Sequence, residues 1–163
     1  MLADLEKRYK ISKIHLIREL MEMEILQSLS RQAWSAHVVF YGGTALRLAY
    51  HSPRFSEDID LFMTRQISFV RFQSWVEELP KYLSEKTVVS DLHKKRKTYF
   101  ALLLIHLPEL KHPLPIKIEL YRNPKHLRFD TELRLLTSPL SPLSALMRIP
   151  TIRALVKMKH DAL

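Results

Sequence analysis

The sequence predicts an α+β (or α/β) fold in which a mixed β-sheet is flanked by helices. In two long segments, 10–29 and 68–86, apolar residues recur at steps of three and four, as on one face of a helix. In two shorter segments, 58–63 and 116–121, apolar and polar residues alternate, as in a half-buried strand. No linker-like composition separates these segments. We therefore expect the 163 residues to form one domain with helices on one or both faces of the sheet.

The first predicted elements are the helix over 10–29 and a strand over the apolar run 37–41. Gly42 and Gly43, the only glycines in the chain, end this strand. A short helix is predicted directly after them, and the His-Ser-Pro sequence at 51–53 ends it. The remaining predicted elements are a strand over 58–63, a helix over 68–86, strands near 87–92, 99–107, 116–121 and 145–149, and a final helix from Thr151 through Lys159.

The composition excludes several classes of protein and site. The chain has no cysteine, which excludes disulfides, thiolate metal sites and a cysteine nucleophile. No apolar run approaches the roughly 20 residues that a membrane-spanning helix needs. The N-terminal residues lack the apolar core of a signal peptide. Together these features favour a cytoplasmic protein with no membrane association.

Positive charge is concentrated in one part of the chain. The formal net charge is +9, from 26 lysines and arginines against 17 acidic residues. The segment 91–128 holds nine of the basic residues and only three acids. A polyanionic partner such as RNA, DNA or a nucleotide is a reasonable expectation for such a segment, and a solvated basic face is the alternative.

Two aspartates form the first candidate site. Asp58 and Asp60 lie two residues apart on a predicted strand, so both carboxylates point to the same face. Adjacent carboxylates repel each other unless a cation lies between them, and their oxygens are the ligands that Mg²⁺ prefers. The alternative is an acidic pair on an exposed edge strand.

A third carboxylate, Glu119, lies on the polar face of the predicted strand 116–121. Two-metal phosphoryl transfer commonly uses such a third acid to bind a metal or to activate the attacking hydroxyl. The alternative is that Glu119 pairs with Lys117 or Arg122 on the surface.

The glycine pair is a candidate anion site. A strand, a Gly-Gly-Thr turn and a helix start expose backbone N–H groups where the helix dipole favours negative charge, and Thr44 adds a hydroxyl. A plain tight turn is the alternative. The segment is neither a P-loop nor a Gly-x-Gly-x-x-Gly motif.

The stretch FYGGTALRLAYHSPRFSEDIDLF, residues 40–62, resembles the nucleotidyltransferase superfamily with a DNA polymerase β-like fold. More narrowly, it is similar to the AbiEii/AbiGii-type toxin nucleotidyltransferases, in which Gly-Gly-Thr-Ala-Leu is followed by Arg-x-Ser-x-Asp-Ile-Asp-Leu. The residues that match this second motif are Arg54, Ser56, Asp58, Ile59, Asp60 and Leu61.

The resemblance implies roles for particular residues. Asp58 and Asp60 are expected to hold Mg²⁺, with Glu119 as the third catalytic and metal-binding acid on the segment IKIELY. In IPTIRALVKMKHDAL, Lys159 matches the family's lysine that contacts the nucleotide phosphates, and Lys157 is the alternative register. The other residues implied in nucleotide binding are Gly42, Gly43, Thr44, Arg54 and Ser56.

The same resemblance implies transfer of a nucleoside monophosphate from an NTP to an acceptor. tRNA is the leading acceptor, bound by the basic segment 91–128, and the protein is expected to be the toxin of a toxin–antitoxin or phage-defence pair. Its partners would be an NTP, an antitoxin protein and, as a further option, a second copy of the chain. The alternatives are a catalytically inactive nucleotide- or nucleic-acid-binding remnant and a small-molecule nucleotidyltransferase of the antibiotic-modifying type.

The family resemblance also sets the expected domain plan. The N-terminal helix 10–29, a catalytic core over about 36–121 and a C-terminal helix over 151–163 make one nucleotidyltransferase domain. Family members continue into further helices beyond this point, so we expect a short member. Asp161 lies within the lysine segment and is not expected to take the role of the family's later aspartate.

Overall fold

The computed structural model describes residues 2–122 and 130–161 of the chain. In these two ranges the elements are α1 (Leu2–Tyr9), α2 (Lys13–Ser30), a 3₁₀-helix (Ala33–His37), β1 (Val38–Tyr41), α3 (Gly42–Tyr50), β2 (Asp58–Met63), α4 (Phe69–Tyr82), β3 (Lys86–Lys94), β4 (Thr98–His106), β5 (Leu114–Tyr121), β6 (Thr131–Ser138), β7 (Ser141–Pro150) and α5 (Ile152–Asp161).

The strands form a mixed sheet in the order β3-β4-β5-β2-β1-β7-β6, counted over the residues that the structure describes. β2 pairs parallel with β5, and β1 pairs parallel with β7. The other pairs, β3 with β4, β4 with β5, β1 with β2 and β6 with β7, are antiparallel. A mixed sheet with helices confirms the predicted α+β class. The topology places β2, the strand of the two aspartates, next to β5, the strand of Glu119.

One face of the sheet is buried under helices. Ile59 and Leu61 of β2 are fully buried in the same core as Ile25 of α2, Leu48 of α3 and Val76 of α4. Because side chains alternate along a strand, Asp58 and Asp60 point to the opposite face of the sheet, where they are partly exposed. The fold therefore holds β2 by its apolar side chains and leaves its carboxylates available.

Two elements were absent from the sequence-based prediction. No residue of α1 is buried, although Leu2 packs against the core. The sequence-based prediction began its first helix at residue 10 and so left this short amphipathic segment out. β6 is an edge strand in which Leu133 and Leu135 are exposed, while Leu136 is buried. Its hydrophobic residues therefore do not alternate cleanly, and pairing with β7 forms the strand instead.

Several boundaries also differ from the prediction. The helix predicted over 68–86 ends at Tyr82, and the strand predicted over 145–149 extends over Ser141–Pro150 as β7. The predicted start of the final helix is confirmed, because the hydroxyl of Thr151 accepts a hydrogen bond from the amide N–H of Ala154 at 3.4 Å. Within the described part of the chain, every helix is too short or too polar to cross a membrane.

Candidate active site

The register of β2 and β5 brings three carboxylates together. Asp60 lies directly opposite Glu119 in this parallel pair, and Asp58 lies two residues before Asp60 on the same face. The Asp58 side chain is 41% exposed and the Glu119 side chain only 15%. The sequence placed these acids on two separate strands, and the pairing makes them one cluster.

Lys117 lies inside this acidic cluster. Its Nζ is 3.0 Å from Oε1 of Glu119 and 3.4 Å from Oδ2 of Asp58. The pairing of Glu119 with Lys117, one of the two alternatives considered from the sequence, is therefore present. The sequence did not predict that Lys117 also reaches Asp58, its partner across the β2–β5 pair. The sequence does contain a signal for placing Lys117 in the cluster: Lys117 and Glu119 are two residues apart, so both side chains lie on one face of β5.

Asp60 is the carboxyl group whose ionisation this site disfavours. Its pKa is raised from 3.8 to about 6, first by burial and then by the negative charges of Asp58 and Glu119, while Lys117 acts in the opposite direction. Burial also raises the pKa of Tyr41 and of Tyr121, and the nearby carboxylates add to both shifts. The site therefore has more negative charge than its single ammonium group balances, which is an environment that attracts a cation.

The donor set fits a hard divalent cation. Carboxylate oxygens are the ligands that Mg²⁺ takes together with substrate phosphates, and the Lys117 ammonium group lies where positive charge is needed. Across the described ranges, however, no group of three or more histidine or acidic side chains is arranged closely enough to hold a metal ion. The ammonium group of Lys117 contacts two of the three acids, Asp58 and Glu119.

The two glycines allow close approach of the neighbouring acid strand and loop. Gly42 has a φ of +84°, and a Cβ there would lie 2.8 Å from Oδ2 of Asp60. A Cβ on Gly43 would lie 2.8 Å from Oγ of Ser56. α3 begins at Gly42, so both glycines belong to its first turn rather than to a turn before the helix. The backbone N–H groups of a first helical turn have no partner within the helix.

Thr44 has a different environment from the one expected. The residue is 1% exposed, and its hydroxyl donates a hydrogen bond to the backbone oxygen of Asp58 at 2.6 Å. A phosphate contact by this hydroxyl was expected from the sequence. In the structure the hydroxyl instead ties the start of α3 to the start of β2, and so fixes the glycines relative to the aspartates.

Two neighbouring cavities lie beside the acidic cluster. The first, of about 430 Å³, has a mostly polar wall. Its lining residues are Gly43, Leu46, Ser52, Arg54, Phe55, Ser56, Glu57, Asp58 and Lys159. The second, of about 250 Å³, is mostly apolar. It is lined by Tyr41, Gly42, Gly43, Leu46, Leu155, Met158 and Lys159.

The C-terminal lysine reaches the site through these cavities. Lys159 of α5 lines both of them, whereas Lys157 lines a separate shallow pocket with other α5 side chains. The structure therefore places Lys159, rather than the alternative Lys157, beside Arg54, Ser56 and Asp58.

The loop between α3 and β2 is held in place by contacts with α2 and α3 that the sequence did not predict. The guanidinium of Arg47 pairs with the buried Glu19 of α2, donates to the backbone oxygen of Ser52 at 3.0 Å, and lies 3.7 Å from the ring centroid of Phe55. The loop is also held by His15 of α2, whose ring stacks on the ring of Phe55 with centroids 4.8 Å apart. These contacts position the wall of the polar cavity.

A basic hairpin adjoins the acidic cluster on the open face of the sheet. Phe100 of β4 lies opposite Glu119 in the β4–β5 register. The ring of His93 stacks on Phe100 at 5.0 Å, and Nζ of Lys95 lies 4.3 Å from its centroid. Lys94, Lys95, Arg96 and Lys97 form the turn of this hairpin or flank it. Two further basic residues of the predicted segment 91–128, Lys125 and Arg128, lie outside the described residues.

Comparisons with known proteins identify a matching family and structures of similar fold. A family model described as "Nucleotidyl transferase AbiEii toxin, Type IV TA system" matches residues 24–163. The structure is similar to JHP933 from Helicobacter pylori, with a TM-score of 0.66 over 94% of this chain at 20% identity. It is also similar to a candidate nucleotidyltransferase from H. pylori, with a TM-score of 0.61 over 91% of this chain at 20% identity. The chain spans 59% of the length of each of these proteins. Comparison with curated protein sequences finds no match.

Proposed function

The chain belongs to the AbiEii nucleotidyltransferase toxin family, and from this premise we propose that it transfers a nucleoside monophosphate from an NTP to an acceptor hydroxyl. The observation that carries this proposal is the position of Asp58, Asp60 and Glu119 on one sheet face, beside a polar cavity that Lys159 also lines. In the reaction, the acceptor oxygen bonds to the α-phosphorus, the bond from this phosphorus to the bridging oxygen breaks, and pyrophosphate leaves.

Asp58 and Asp60 are proposed to bind Mg²⁺, which supplies positive charge between the carboxylates and the α-phosphate. Glu119, opposite Asp60, completes the acidic site and accepts the proton from the acceptor hydroxyl. Catalysis in this class depends mainly on positioning and on stabilising charge in the transition state.

The triphosphate is proposed to lie in the polar cavity. Gly43 lines this cavity and Gly42 lines the adjoining apolar one, both from the first turn of α3, where no Cβ blocks the approach of phosphate oxygens to the backbone N–H groups. Arg54 and Ser56 contact phosphate oxygens from the loop, and Lys159 neutralises the leaving pyrophosphate. The adjoining apolar cavity suits the base or the sugar of the nucleotide.

For the acceptor we propose a nucleic acid, with tRNA first because of the family's toxin–antitoxin description. The support in this chain is the basic hairpin, where Phe100 shares the sheet face of Glu119 and Nζ of Lys95 lies over its ring. Three further basic residues lie at or beside the turn. Phosphates bind lysine and arginine, and an unpaired base stacks on an aromatic ring. The same family description supports an antitoxin protein as a second partner.

A transfer assay tests the proposal. The protein is incubated with each of the four NTPs labelled at the α-phosphate, Mg²⁺, and total tRNA or small-molecule acceptors, and transferred label is measured. We expect label on RNA, and we expect Asp58→Asn to lower the rate by at least about 10³-fold, which corresponds to about 4 kcal/mol.

Two outcomes contradict this function. Near-wild-type transfer by Asp58→Asn would show that the reaction does not depend on the acidic site. NTP binding with no label on any acceptor would instead favour a nucleotide-binding protein without activity. Label on small molecules alone would replace the nucleic-acid acceptor while keeping the reaction.

A further inference from the structure

We propose that Lys117 is the internal counter-cation of the acidic site, and that a divalent metal ion has to displace its ammonium group in order to bind. This inference rests on the proposed function, since it concerns the same carboxylates. It assigns a positioning role to a residue that the sequence analysis considered only as a partner of Glu119 and as part of the basic segment.

The geometry places the ammonium group within the cluster. Lys117 lies opposite Asp58 across the β2–β5 pair and two residues before Glu119 on β5, so its side chain shares their face of the sheet. Its Nζ is 3.0 Å from Oε1 of Glu119 and 3.4 Å from Oδ2 of Asp58. One ammonium group thus bridges carboxylates from two neighbouring strands.

The lysine and a metal ion would use the same oxygens. Mg²⁺ binds its oxygen ligands at about 2.1 Å in a nearly octahedral arrangement. The N···O distances around Lys117 are 3.0 and 3.4 Å, so the carboxylates that contact it are spaced for an ammonium group. A metal ion that draws Asp58 and Glu119 inwards leaves no room for Nζ between them. This competition accounts for the lack of a ready three-ligand group among the residues that the structure describes.

The position of Lys117 reduces the electrostatic repulsion within the acidic cluster. Asp58, Asp60 and Glu119 would repel one another without a cation nearby, and the ammonium group of Lys117 offsets part of that repulsion. The side chain of Lys117 is 36% exposed and has a flexible four-carbon stem. It can therefore leave the cluster without disturbing the buried strand beneath it. The metal affinity of the site is then the affinity of the carboxylates reduced by the competing lysine.

The test measures Mn²⁺ binding directly, without nucleotide or acceptor. Free Mn²⁺ is followed by electron paramagnetic resonance in wild type, in Lys117→Met and in the control Lys81→Met. Lys81 pairs with Glu78 on the exposed surface of α4, so its replacement removes the same charge elsewhere. We expect Lys117→Met to lower the Kd for Mn²⁺ about tenfold or more, which corresponds to about 1.4 kcal/mol. Lys81→Met should stay within about twofold of wild type, as expected for an exposed charge.

A measurement on the wild-type protein covers the case in which Lys117→Met does not fold. Nuclear magnetic resonance spectra are recorded on wild type that is isotopically labelled at the lysine side chains. The Lys117 signal is assigned as the one that is missing in Lys117→Arg, and Mg²⁺ should shift it. A Kd in Lys117→Met equal to or weaker than that of Lys81→Met, or a Lys117 signal that Mg²⁺ leaves unchanged, would overturn the inference.

The outcomes also separate this inference from the proposed function. Wild type that binds Mn²⁺ and transfers nucleotide, together with no tightening in Lys117→Met, overturns the counter-cation role alone. Failure of both wild type and Lys117→Met to bind Mn²⁺ overturns both. If Lys117→Met binds Mn²⁺ more tightly but wild type transfers no nucleotide, the counter-cation role is supported and the proposed transfer reaction is rejected.

Discussion

At the residue scale, the site depends on how closely the start of α3 approaches β2. Gly42 has a positive φ and leaves only 2.8 Å between a virtual Cβ and the Asp60 carboxylate. Any other residue would combine backbone strain with a clash against the Asp60 side chain. The chain's two glycines are therefore explained first by space: they allow the first turn of α3 to lie against Asp60 and Ser56. The exposed N–H groups are a consequence of the same geometry.

Asp60 gives a prediction on stability. Its pKa is raised from 3.8 to about 6 in the folded protein, so the folded state binds its proton more tightly than the unfolded state does. The charged carboxylate then lowers the free energy of unfolding, fully above pH 6 and not at all below about 3.8. We expect Asp60→Asn to stabilise the metal-free protein at pH 8 by about 1–3 kcal/mol, and this gain should vanish at pH 4.

Urea unfolding in EDTA at the two pH values measures this gain. Asp58→Asn is the matched control, because it removes a carboxylate that contacts Lys117 and should give no comparable stabilisation. An equal effect of Asp60→Asn at pH 4 and pH 8 would exclude electrostatic repulsion as its cause.

At the element scale, the loop between α3 and β2 is held by α2 and α3 together. Arg47 joins Glu19 of α2 to the backbone of Ser52 and to the ring of Phe55. Glu19 is only 2% exposed, and Ser138 of β6 donates a second hydrogen bond to it at 2.5 Å. A buried charge with these partners connects the cavity wall to the core, so the loop's position depends on the ion pair.

We expect Arg47→Met to lower the free energy of unfolding by about 3–5 kcal/mol, because it leaves the buried Glu19 carboxylate without its cation. Arg134→Met, which breaks the exposed pair with Glu132, should cost only about 0–1 kcal/mol. Urea unfolding of both variants makes the comparison. The double variant Glu19→Gln with Arg47→Met should recover part of the loss, and equal losses in the two single variants would show that the pair is not a buried contact.

At the scale of the whole molecule, the sheet order decides what the open face can bind. The central strands β2 and β5 carry the acids, and the hairpin of β3 and β4 extends the same face toward one edge. The acidic cluster and the basic hairpin are thus neighbours on one surface. An acceptor with phosphates and a reacting hydroxyl would contact both regions.

We expect the triple variant Lys94→Gln, Lys95→Gln and Lys97→Gln to weaken tRNA binding and to reduce its dependence on salt. Each lost phosphate contact should lower the slope of log K against log salt by about 0.7 for a single strand. Fluorescence anisotropy over a salt series measures both. Neutralising three exposed lysines outside the hairpin, Lys7, Lys10 and Lys81, is the matched control. Equal slopes in the two triple variants would remove the hairpin from the acceptor site.

Much of the fold and part of the site were predictable because their signals are local. The alternation along 58–63 and 116–121 predicts strands, and it also predicts that Asp58 and Asp60 share a face. β6 was not predicted, because two of its three leucines are exposed on this edge strand and the buried one, Leu136, directly follows an exposed one. The hydrogen bond of Thr44 was not predicted, because the partner of its hydroxyl, the Asp58 backbone oxygen, lies 14 residues away in the chain.

The sequence by itself determined the α+β class and the two carboxylates on one strand face. These properties depend on neighbours within a few residues. Only the tertiary structure decided that Glu119 lies opposite Asp60, that Lys117 bridges Asp58 and Glu119, and that Lys159 rather than Lys157 lines the cavities. The physical reason is that a parallel pair between β2 and β5 can form in many registers. The burial of both strands' apolar side chains in one core selects the register that brings these charges together.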